Sequence, residues 1–371
     1  MKNLFIAFIP LAILVSCAES STETKNIKHN WETIILDTKN NSLAQDDTPY
    51  LLKTDTAEYY VNYNHINHCL NFYNLNTKSF NQKIQFYKSG PDKLSGISEY
   101  VIHGDTLIVH NRLALRFFNK KGRLIKAFKL PDINPLLGQR YSLEKKGITI
   151  DNLMELAKDG NKLILRTFNR NKMPYEKDFN KNLFFCKYDL KSNTSEAIKV
   201  KQPKEIKQKY YYADLATPHI ITNNNLIIYN FHFKSSIFVY NQETESTKEI
   251  NFEARNIPNI IDGIKRSKAS NTIRCVKDLF FGSKFYNIKY DPYRNLYYLL
   301  YGEKIDMQNS QDEGVKRHLI VFNKLFKKLG EITINPYFSN RFVISKYGIL
   351  FRNSKEDSYN ELKLHALKIN I

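Results

Sequence analysis

The sequence predicts an all-β protein: a six-bladed β-propeller with four-stranded antiparallel blades, closed by an N-terminal strand. Three observations support this prediction. Short apolar runs rich in Tyr, Phe, Ile and Leu alternate with Asn, Asp, Lys and Gly turns, and long helical periodicity is nearly absent. Two sequence elements recur along the chain. The last repeat offers three strands, and an isolated strand near the N-terminus can supply the fourth.

The first recurring element is an apolar strand that ends in an aromatic residue followed by Asn or Asp. It occurs at Tyr73-Asn74, Phe118-Asn119, Tyr188-Asp189, Tyr240-Asn241 and Phe322-Asn323. The Asn or Asp side chain can accept a hydrogen bond from the backbone two residues further on, which opens a hairpin. The second element is a polar or Gly turn that leads into an apolar strand, and it occurs at 105–109, 161–165, 225–229, 295–299 and 348–351.

The spacing of the first element is irregular, at 45, 70, 52 and 82 residues. We attribute this to loops predicted at about 136–156, 169–181, 253–277 and 302–316. Constant supersecondary units with variable insertions are typical of a propeller, and six units of roughly 60 residues account for the chain.

Closure of the ring is predicted from the two chain ends. The last unit has strands at 342–346, 348–353 and 362–369, and the isolated strand Trp31–Leu36 can pair with it. Such pairing removes exposed strand edges. A two-domain β-sandwich protein is the structural alternative. It predicts a Pro- or Gly-rich linker in mid-chain, and the sequence shows none there.

The N-terminus predicts export and lipidation. A basic start at Met1-Lys2-Asn3 precedes the mostly apolar residues 4–15, a length that suits a signal-peptide core and is too short to span a bilayer. The next residues, Leu14-Val15-Ser16-Cys17, resemble the bacterial lipobox, in which the cysteine thiolate takes up diacylglycerol. The alternative is that Cys17 is an ordinary buried thiol beside an apolar run.

We therefore expect a signal peptide over 1–16, a lipidated flexible tether over 17–30 and a single propeller domain over 31–371. Residue 18 is Ala, so the inner-membrane retention aspartate is absent and an outer-membrane location is expected, on the periplasmic or the cell-surface side. Several acyl chains, at about 0.8 kcal/mol per buried CH₂, form a lasting anchor.

The other cysteines are Cys69, Cys186 and Cys275, an odd number without C-x-x-C spacing. Cys69 and Cys186 lie in apolar strand-like runs, which favours buried single thiols. One disulfide remains the alternative, because export places the chain in an oxidising compartment.

These features together resemble a family of uncharacterised lipoproteins of gut and marine Gram-negative bacteria with a six-bladed, TolB-like propeller. The resemblance rests on the lipobox, the repeats, the segment Ser89–Leu94 (SGPDKL) and especially Ile288–Tyr298 (IKYDPYRNLYY). It implies no activity, because none is established for the family. In that family an Arg tends to follow the Tyr-Tyr pair. Here Leu299 takes that place, which argues against a site that needs the guanidinium.

Asp291-Pro292-Tyr293-Arg294 predicts a tight turn, since Pro presets φ at the second position and Asp caps the turn. The functional alternative places Tyr290, Tyr293, Arg294 and Tyr297 at a blade edge that faces a ligand. Alternation along the strand sends Tyr297 and Tyr298 to opposite faces, so at most one of them lines a site.

Catalytic and metal motifs are not found. The chain has no G-x-S-x-G, H-E-x-x-H, P-loop or G-x-G-x-x-G, so we predict no catalytic residue, cofactor or metal ligand. His65-Ile66-Asn67-His68 reads as a solvated hairpin turn, and His103, His110 and the segment Phe231-His232-Phe233 read as strand residues. Acidic side chains from several blades that meet at the central channel stay open as an alternative.

The formal net charge of +19, from 56 Lys+Arg against 37 Asp+Glu, is partly compositional, because the chain is Lys-heavy and rich in Asn, Ile, Tyr and Phe. Lys clusters at 201–209 and 265–277 accompany no nucleic-acid motif, so no nucleic-acid partner is expected. Outside the cytoplasm such a surface suits anionic glycans, lipid head groups or an acidic protein.

The sequence thus favours a monomeric, outer-membrane-anchored binding or scaffold propeller for a protein or glycan partner. The alternative is a propeller hydrolase or lyase that acts on a polysaccharide or lactone at the central channel.

Overall fold

The chain is all-β over the residues that the structure, a computed structural model, describes. These are residues 27–41, 48–94, 96–97, 99–111, 114–129, 154–157, 160–166, 185–207, 210–216, 218–265, 282–304, 315–353, 355–358 and 360–370. Within these ranges the helical segments are two short 3-10 turns, Lys204–Lys207 and Ala213–Ala216. Cys17 and Cys275 lie outside the described residues, as do most residues of the four predicted loops.

The strands fall into six four-stranded antiparallel units, numbered here along the chain. Unit 1 contains β2 (Tyr50–Lys53), β3 (Glu58–Asn64), β4 (Cys69–Asn74) and β5 (Ser79–Gln85), and it follows β1 (Lys28–Asp37). Unit 2 contains β6 (Glu99–His103), β7 (Thr106–Asn111), β8 (Ala114–Asn119) and β9 (Leu124–Lys129). Unit 3 contains β10 (Met154–Leu156), β11 (Lys162–Arg166), β12 (Phe185–Asp189) and β13 (Ser195–Ile198).

The second half of the chain repeats this arrangement. A small two-stranded sheet joins β14 (Tyr210–Tyr211) to β19 (Ile264–Lys265). Unit 4 contains β15 (Pro218–Asn223), β16 (Leu226–Phe231), β17 (Ser236–Asn241) and β18 (Ser246–Asn251). Unit 5 contains β20 (Lys284–Asp291), β21 (Leu296–Gly302), β22 (Arg317–Asn323) and β23 (Lys328–Ile334). Unit 6 contains β24 (Val343–Ser345), β25 (Gly348–Arg352), β26 (Glu361–Asn370) and β1.

The two ends of the chain meet in unit 6. Strand β1 pairs antiparallel with β26 over ten residues, from Lys28 opposite Asn370 to Asp37 opposite Glu361. The predicted N-terminal fourth strand is therefore confirmed, and it begins at Lys28, within the stretch expected to be tether. A parallel contact between Asp37 and Ser79 then joins unit 6 to unit 1, so both belong to one eight-stranded sheet.

The hairpin turns form as the recurring element predicts. In each of five units the Asn or Asp at the end of the third strand accepts backbone N–H groups of the following turn. The acceptors are Asn74, Asn119, Asp189, Asn241 and Asn323, with N···O distances of 2.8–3.2 Å. The hairpin predicted at His65–His68 is also confirmed, between β3 and β4.

The apolar core lies between neighbouring units. In β21, Tyr297, Leu299 and Tyr301 pack toward unit 4, whereas Tyr298 and Leu300 pack toward unit 6. The predicted opposite faces of Tyr297 and Tyr298 are therefore confirmed. Because a unit buries both faces in this way, its central strands read as continuous apolar runs.

Three details differ from the sequence-based expectation. Met154–Leu156 forms strand β10 and Ile264–Lys265 forms strand β19, although the sequence placed both segments in loops, because strands of three and two residues are too short to show alternation. His232 lies in the turn after β16 rather than in a strand. Cys69 and Cys186 are buried, as predicted.

Candidate functional site

A cavity of about 360 Å³ lies where the first strands of the six units meet. Among these strands β6 contacts β10, β10 contacts β15, β15 contacts β20, β20 contacts β24, and β24 contacts β2. Tyr100 of β6 reaches the first unit, with its hydroxyl donating to the Thr48 carbonyl at 2.9 Å. Each unit contributes to the lining: Tyr50 from β2, Glu99 from β6, Glu155 from β10, Thr222 from β15, Lys289 from β20 and Val343 from β24.

One wall of the cavity is acidic. Glu99 and Glu155 line it from the neighbouring strands β6 and β10. The Glu99 Oε2 atom accepts the backbone N–H of Met154 at 2.7 Å, which fixes one carboxylate against the adjacent strand. Glu155 also accepts a hydrogen bond from the backbone of Thr222 on β15.

Glu155 has an unusual acidity. Burial raises the pKa of its carboxyl from 4.5 to about 7, while Lys289 and the Thr222 backbone act in the opposite direction. The cause is loss of hydration, since a charged carboxylate is disfavoured where water is displaced by protein. Glu155 therefore exchanges a proton near neutral pH. Carboxyl groups with such shifts are frequent at functional sites.

The other wall is basic. Lys289 lies on β20, and Arg341 lies two residues before β24, which contacts β20. The two cationic residues are thus close to neighbouring strands, whereas the two acidic ones lie on neighbouring strands. Within the order β2, β6, β10, β15, β20, β24, the acidic pair and the basic pair occupy opposite sides.

Aromatic rings and uncharged polar groups complete the lining. Tyr50, Tyr290 and Phe342 present rings, and Thr48 and Asn287 present polar groups. Two of these rings pack against other tyrosine rings. The ring centroids of Tyr50 and Tyr100 are 5.6 Å apart, and those of Tyr290 and Tyr297 are 4.9 Å apart. Burial and the nearby Glu155 raise the pKa of Tyr50 to about 12. Its hydroxyl is therefore protonated at neutral pH and can donate a hydrogen bond.

The Asp291–Arg294 segment forms the predicted tight turn. The fully buried Asp291 accepts backbone N–H groups of Tyr293 at 2.9 Å and Arg294 at 3.1 Å. Its other oxygen accepts the Arg294 guanidinium at 2.7 Å and the Tyr298 hydroxyl at 3.0 Å. Burial and the Asp291 carboxylate raise the pKa of Tyr298, which keeps it a hydrogen-bond donor.

The four residues predicted to face a ligand occupy different places. Tyr290 lines the cavity. Tyr293 donates to Glu58 of unit 1, and Arg294 donates to the carbonyls of Ser345 and Lys346 in unit 6, each at 3.4 Å. Tyr297 is buried and accepts a hydrogen bond from the Asn223 amide at 2.8 Å. The segment thus connects unit 5 to three other units.

Sequence reasoning missed Glu99, Glu155, Lys289 and Arg341. Two of them carried a detectable signal, because Glu155 stands between Met154 and Leu156, and Lys289 between Ile288 and Tyr290. A single charge inside an otherwise apolar strand requires an aqueous or paired environment. Which of the many strands border the cavity depends on tertiary structure.

A second polar cluster lies among units 2, 3 and 4. His219 and His232, both buried, approach each other with Nε2 atoms 2.7 Å apart, and His232 Nδ1 donates to the Phe285 carbonyl. Burial, then His219, Lys284 and Arg166, lower the pKa of His232 well below its ordinary value. Burial, then Arg166, also lower the pKa of His110, to about 4. Both imidazoles are thus neutral at pH 7.

Another cavity, of about 420 Å³, lies between units 1 and 2. Its lining includes Lys53, His103, Asp105 and Lys120. Lys120 and Asp105 form an exposed ion pair at 2.5 Å. This cavity borders two units rather than six, and Glu99, Glu155, Lys289 and Arg341 are not part of its lining.

No group of three His, Cys, Asp or Glu side chains in the described ranges is arranged to hold a metal ion. Across those ranges, no helix has the length and apolar character that crossing a membrane requires.

Comparison with known proteins shows relatives of the same fold. The structure is similar to a crystal structure of a DUF4221 family member from Bacteroides vulgatus, with TM-score 0.75, 16% identity, and coverage of 94% of this chain and 99% of that one. It is also similar to a Bacteroides fragilis protein described as exported, with TM-score 0.56, 12% identity, and coverage of 92% and 96%. No curated protein matches the sequence. Residues 24–333 match the family named domain of unknown function DUF4221, and the chain belongs to that family.

Proposed function

We propose that this protein is an exported glycan-binding protein, anchored to the outer membrane through lipid on Cys17, whose six units form a closed six-bladed β-propeller. The observation that carries the proposal is the cavity lined by the first strands of all six units. In a propeller the innermost strand of each blade borders the central channel. The similarity to a protein described as exported supports the location.

The lining suits a saccharide. Its volume of about 360 Å³ falls in the range of about 300–1,000 Å³ that is typical of small-molecule sites. Sugar units combine hydroxyl groups with weakly polar faces, and the lining offers carboxylates, an amide and hydroxyls beside the rings of Tyr50 and Tyr290. A glycan chain end that enters the channel would contact both kinds of surface.

We propose that Tyr290 contacts the ligand directly, unlike Tyr293, Arg294 and Tyr297. Of the four, Tyr290 alone lines the cavity, with its hydroxyl donating to the Asn295 side chain at 3.2 Å. The other three are hydrogen-bonded to Glu58, Asp291 and Asn223 respectively. Their proposed contribution is to hold unit 5 against its neighbours and so to position β20 at the cavity.

Binding is tested by exposing the full chain to an array of polysaccharides and oligosaccharides. We expect binding to a subset, and loss of that binding in Tyr290→Ala and Asn287→Leu, which change the cavity. Lys53→Met, at the other cavity, is the control and should bind like the parent chain. Absence of any bound glycan, or equal binding by the cavity variants, would contradict the proposal.

Anchoring has a separate test. The parent chain, expressed in a Gram-negative host, should incorporate radiolabelled palmitate and fractionate with the outer membrane. Cys17→Ala should lose the label, whereas Cys69→Ala should retain it. Unchanged labelling of Cys17→Ala would refute lipidation at this residue.

A hydrolase or lyase is the second candidate, favoured by one observation. Glu99 and Glu155 share the cavity, and glycoside hydrolysis commonly uses two carboxyl groups, one of them protonated near neutral pH. This candidate predicts that a bound polysaccharide is shortened, with new reducing ends, and that Glu155→Gln still binds but no longer cleaves. An unchanged polysaccharide after prolonged incubation would exclude it for that substrate.

A further inference from the structure

We infer that the central cavity selects a zwitterionic sugar unit, with its ammonium group at Glu99 and Glu155 and its carboxylate at Lys289 and Arg341. The inference rests on the proposed glycan-binding function of the same cavity. It concerns the chemical class of the ligand.

The first argument is the arrangement of charged residues around the cavity. Glu99 and Glu155 line the cavity from two neighbouring first strands, whereas Lys289 on β20 and Arg341, two residues before the neighbouring strand β24, line it on the opposite side. One first strand separates the pairs on each side: β15 on one and β2 on the other. The cavity therefore has an acidic wall facing a basic wall.

The second argument is that the two walls act on each other across the cavity. The positive charge of Lys289 lowers the pKa of the Glu155 carboxyl, in opposition to burial. The space between the walls is thus within electrostatic reach of both. A ligand whose positive end faces Glu155 and whose negative end faces Lys289 is stabilised at both ends, and the reverse orientation is opposed at both.

The third argument concerns ligands with one charge. When Glu155 is ionised, the four residues carry two formal charges of each sign, so a purely anionic ligand gains at the basic wall and loses at the acidic one. A purely cationic ligand gains at the acidic wall and loses at the basic one. Only a ligand with both charges satisfies both walls.

The fourth argument favours a sugar over a peptide. Tyr50, Tyr290 and Phe342 offer ring faces, and Thr48 and Asn287 offer hydrogen-bonding groups between the charged walls. A sugar ring that bridges the walls presents its C–H faces to the aromatic rings and its hydroxyls to Thr48 and Asn287. A short peptide backbone presents amides and few such faces.

Proton linkage supplies a signature of the orientation. Lys289 of β20 and the Thr222 backbone of β15 act on the pKa of Glu155, Glu155 in turn acts on Tyr50 of β2, and Glu99 of β6 lines the same cavity. An ammonium group placed against Glu155 favours its carboxylate form, so binding should release a proton near pH 6.5. The 2-amino group of an amino sugar is flanked by electron-withdrawing oxygens, as an α-amino group is flanked by a carbonyl, and with a similar pKa of about 7.7–8.0 it is mostly charged at this pH.

Four sugars test the inference in calorimetry with the full chain at pH 6.5. Muramic acid carries both charges, N-acetylmuramic acid the carboxylate, glucosamine the ammonium, and N-acetylglucosamine neither. We expect muramic acid to bind about tenfold or more tightly than each of the others, since each charge-assisted contact contributes roughly that much. Its binding heat should depend on the buffer through proton release.

Charge-neutral variants of each wall provide the orientation test. Glu155→Gln should lower the affinity for muramic acid to that for N-acetylmuramic acid and abolish proton release. Its affinity for N-acetylmuramic acid should stay within about twofold of the parent value. Lys289→Met should bring muramic acid down to the affinity of glucosamine. The controls Glu196→Gln, at an exposed carboxylate, and Lys53→Met should change neither.

The outcomes separate this inference from the proposed function. Equal binding of N-acetylglucosamine and muramic acid would overturn the zwitterion inference and leave the glycan site standing. Binding of diglycine in place of any sugar would overturn the saccharide assignment and with it the proposed function. Binding of none of these probes, by a chain that binds other glycans at the cavity, would overturn the inference alone.

Discussion

The hydroxyl of Tyr293 donates a hydrogen bond to Glu58 Oε1, although 235 residues separate the two along the chain. Glu58 begins β3 of unit 1, and its other oxygen accepts the backbone N–H of Lys346 of unit 6 at 3.1 Å. A single buried carboxylate thus joins units 1, 5 and 6, near the point where the two chain ends meet. Burial and the adjacent Glu58 raise the pKa of Tyr293, so the phenol stays protonated and keeps this bond.

Tyr293→Phe should lower the free energy of unfolding by about 1.5–3 kcal/mol, the usual contribution of a hydrogen bond to a charged group. The reason is that the buried Glu58 keeps its charge and loses one donor. Urea unfolding measures the change. The control is Tyr87→Phe, on a ring that is 40% exposed. Its free energy of unfolding should stay within about 0.5 kcal/mol of the parent value, as is usual for surface changes. Equal effects of both changes would show that the inter-unit bond contributes no stability.

Arg294→Met should cost about 3 kcal/mol, the lower end for removing one partner of a buried ion pair, because the arginine is partly exposed. The change leaves the fully buried Asp291 carboxylate without its cation. Adding Asp291→Asn removes that charge and should restore part of the loss. A double variant less stable than Arg294→Met would contradict this account, and chemical denaturation of the three chains decides it.

Deletion of residues 1–37 should destabilise the domain by about 3–6 kcal/mol, because it removes the buried side chains of Ile34 and Leu36, worth about 1.5–3 kcal/mol each. It also exposes the edge of β26, so we expect association of chains in light scattering. Deletion of residues 1–26, which ends before β1, is the matched control. Similar melting and scattering of the two truncated chains would show that β1 is dispensable.

Glu155 should make stability fall as pH rises from about 4.5 to about 7. The folded protein holds this proton to a pKa of about 7, whereas the unfolded carboxyl loses it near 4.5, so the folded state binds more protons in that window. Glu155→Gln mimics the protonated form. It should therefore be more stable than the parent at pH 8 and close to it at pH 5, in urea unfolding at the two pH values. Glu196→Gln should show no such difference, and a parent-like pH profile of Glu155→Gln would contradict the assignment.

Local features of the fold were predictable because they depend on a few adjacent residues. The Asn and Asp turns, such as the one opened by Asn74, need only a side-chain oxygen and the backbone N–H groups two and three residues further on. The opposite faces of Tyr297 and Tyr298 follow from the two-residue period of a strand. The turn at Asp291 needs the Pro that follows it.

The site was less predictable, since its residues come from six separate strands. Tyr290 was singled out from a motif and does line the cavity, whereas Arg294 in the same motif binds Asp291. Nothing in the local sequence around Glu99 or Arg341 indicates that these residues border the cavity. That assignment depends on how neighbouring units pack.

By itself, the sequence determined the all-β class, the hairpins of each unit and the N-terminal strand that completes the last one, because each follows from local hydrogen bonding or from a two-residue pattern. Tertiary structure decided which charges meet. Glu155 and Lys289 are 134 residues apart, and only the packing of first strands sets them on facing walls of one cavity. The field between them, and the raised pKa of Glu155, arise from burial that no single strand possesses.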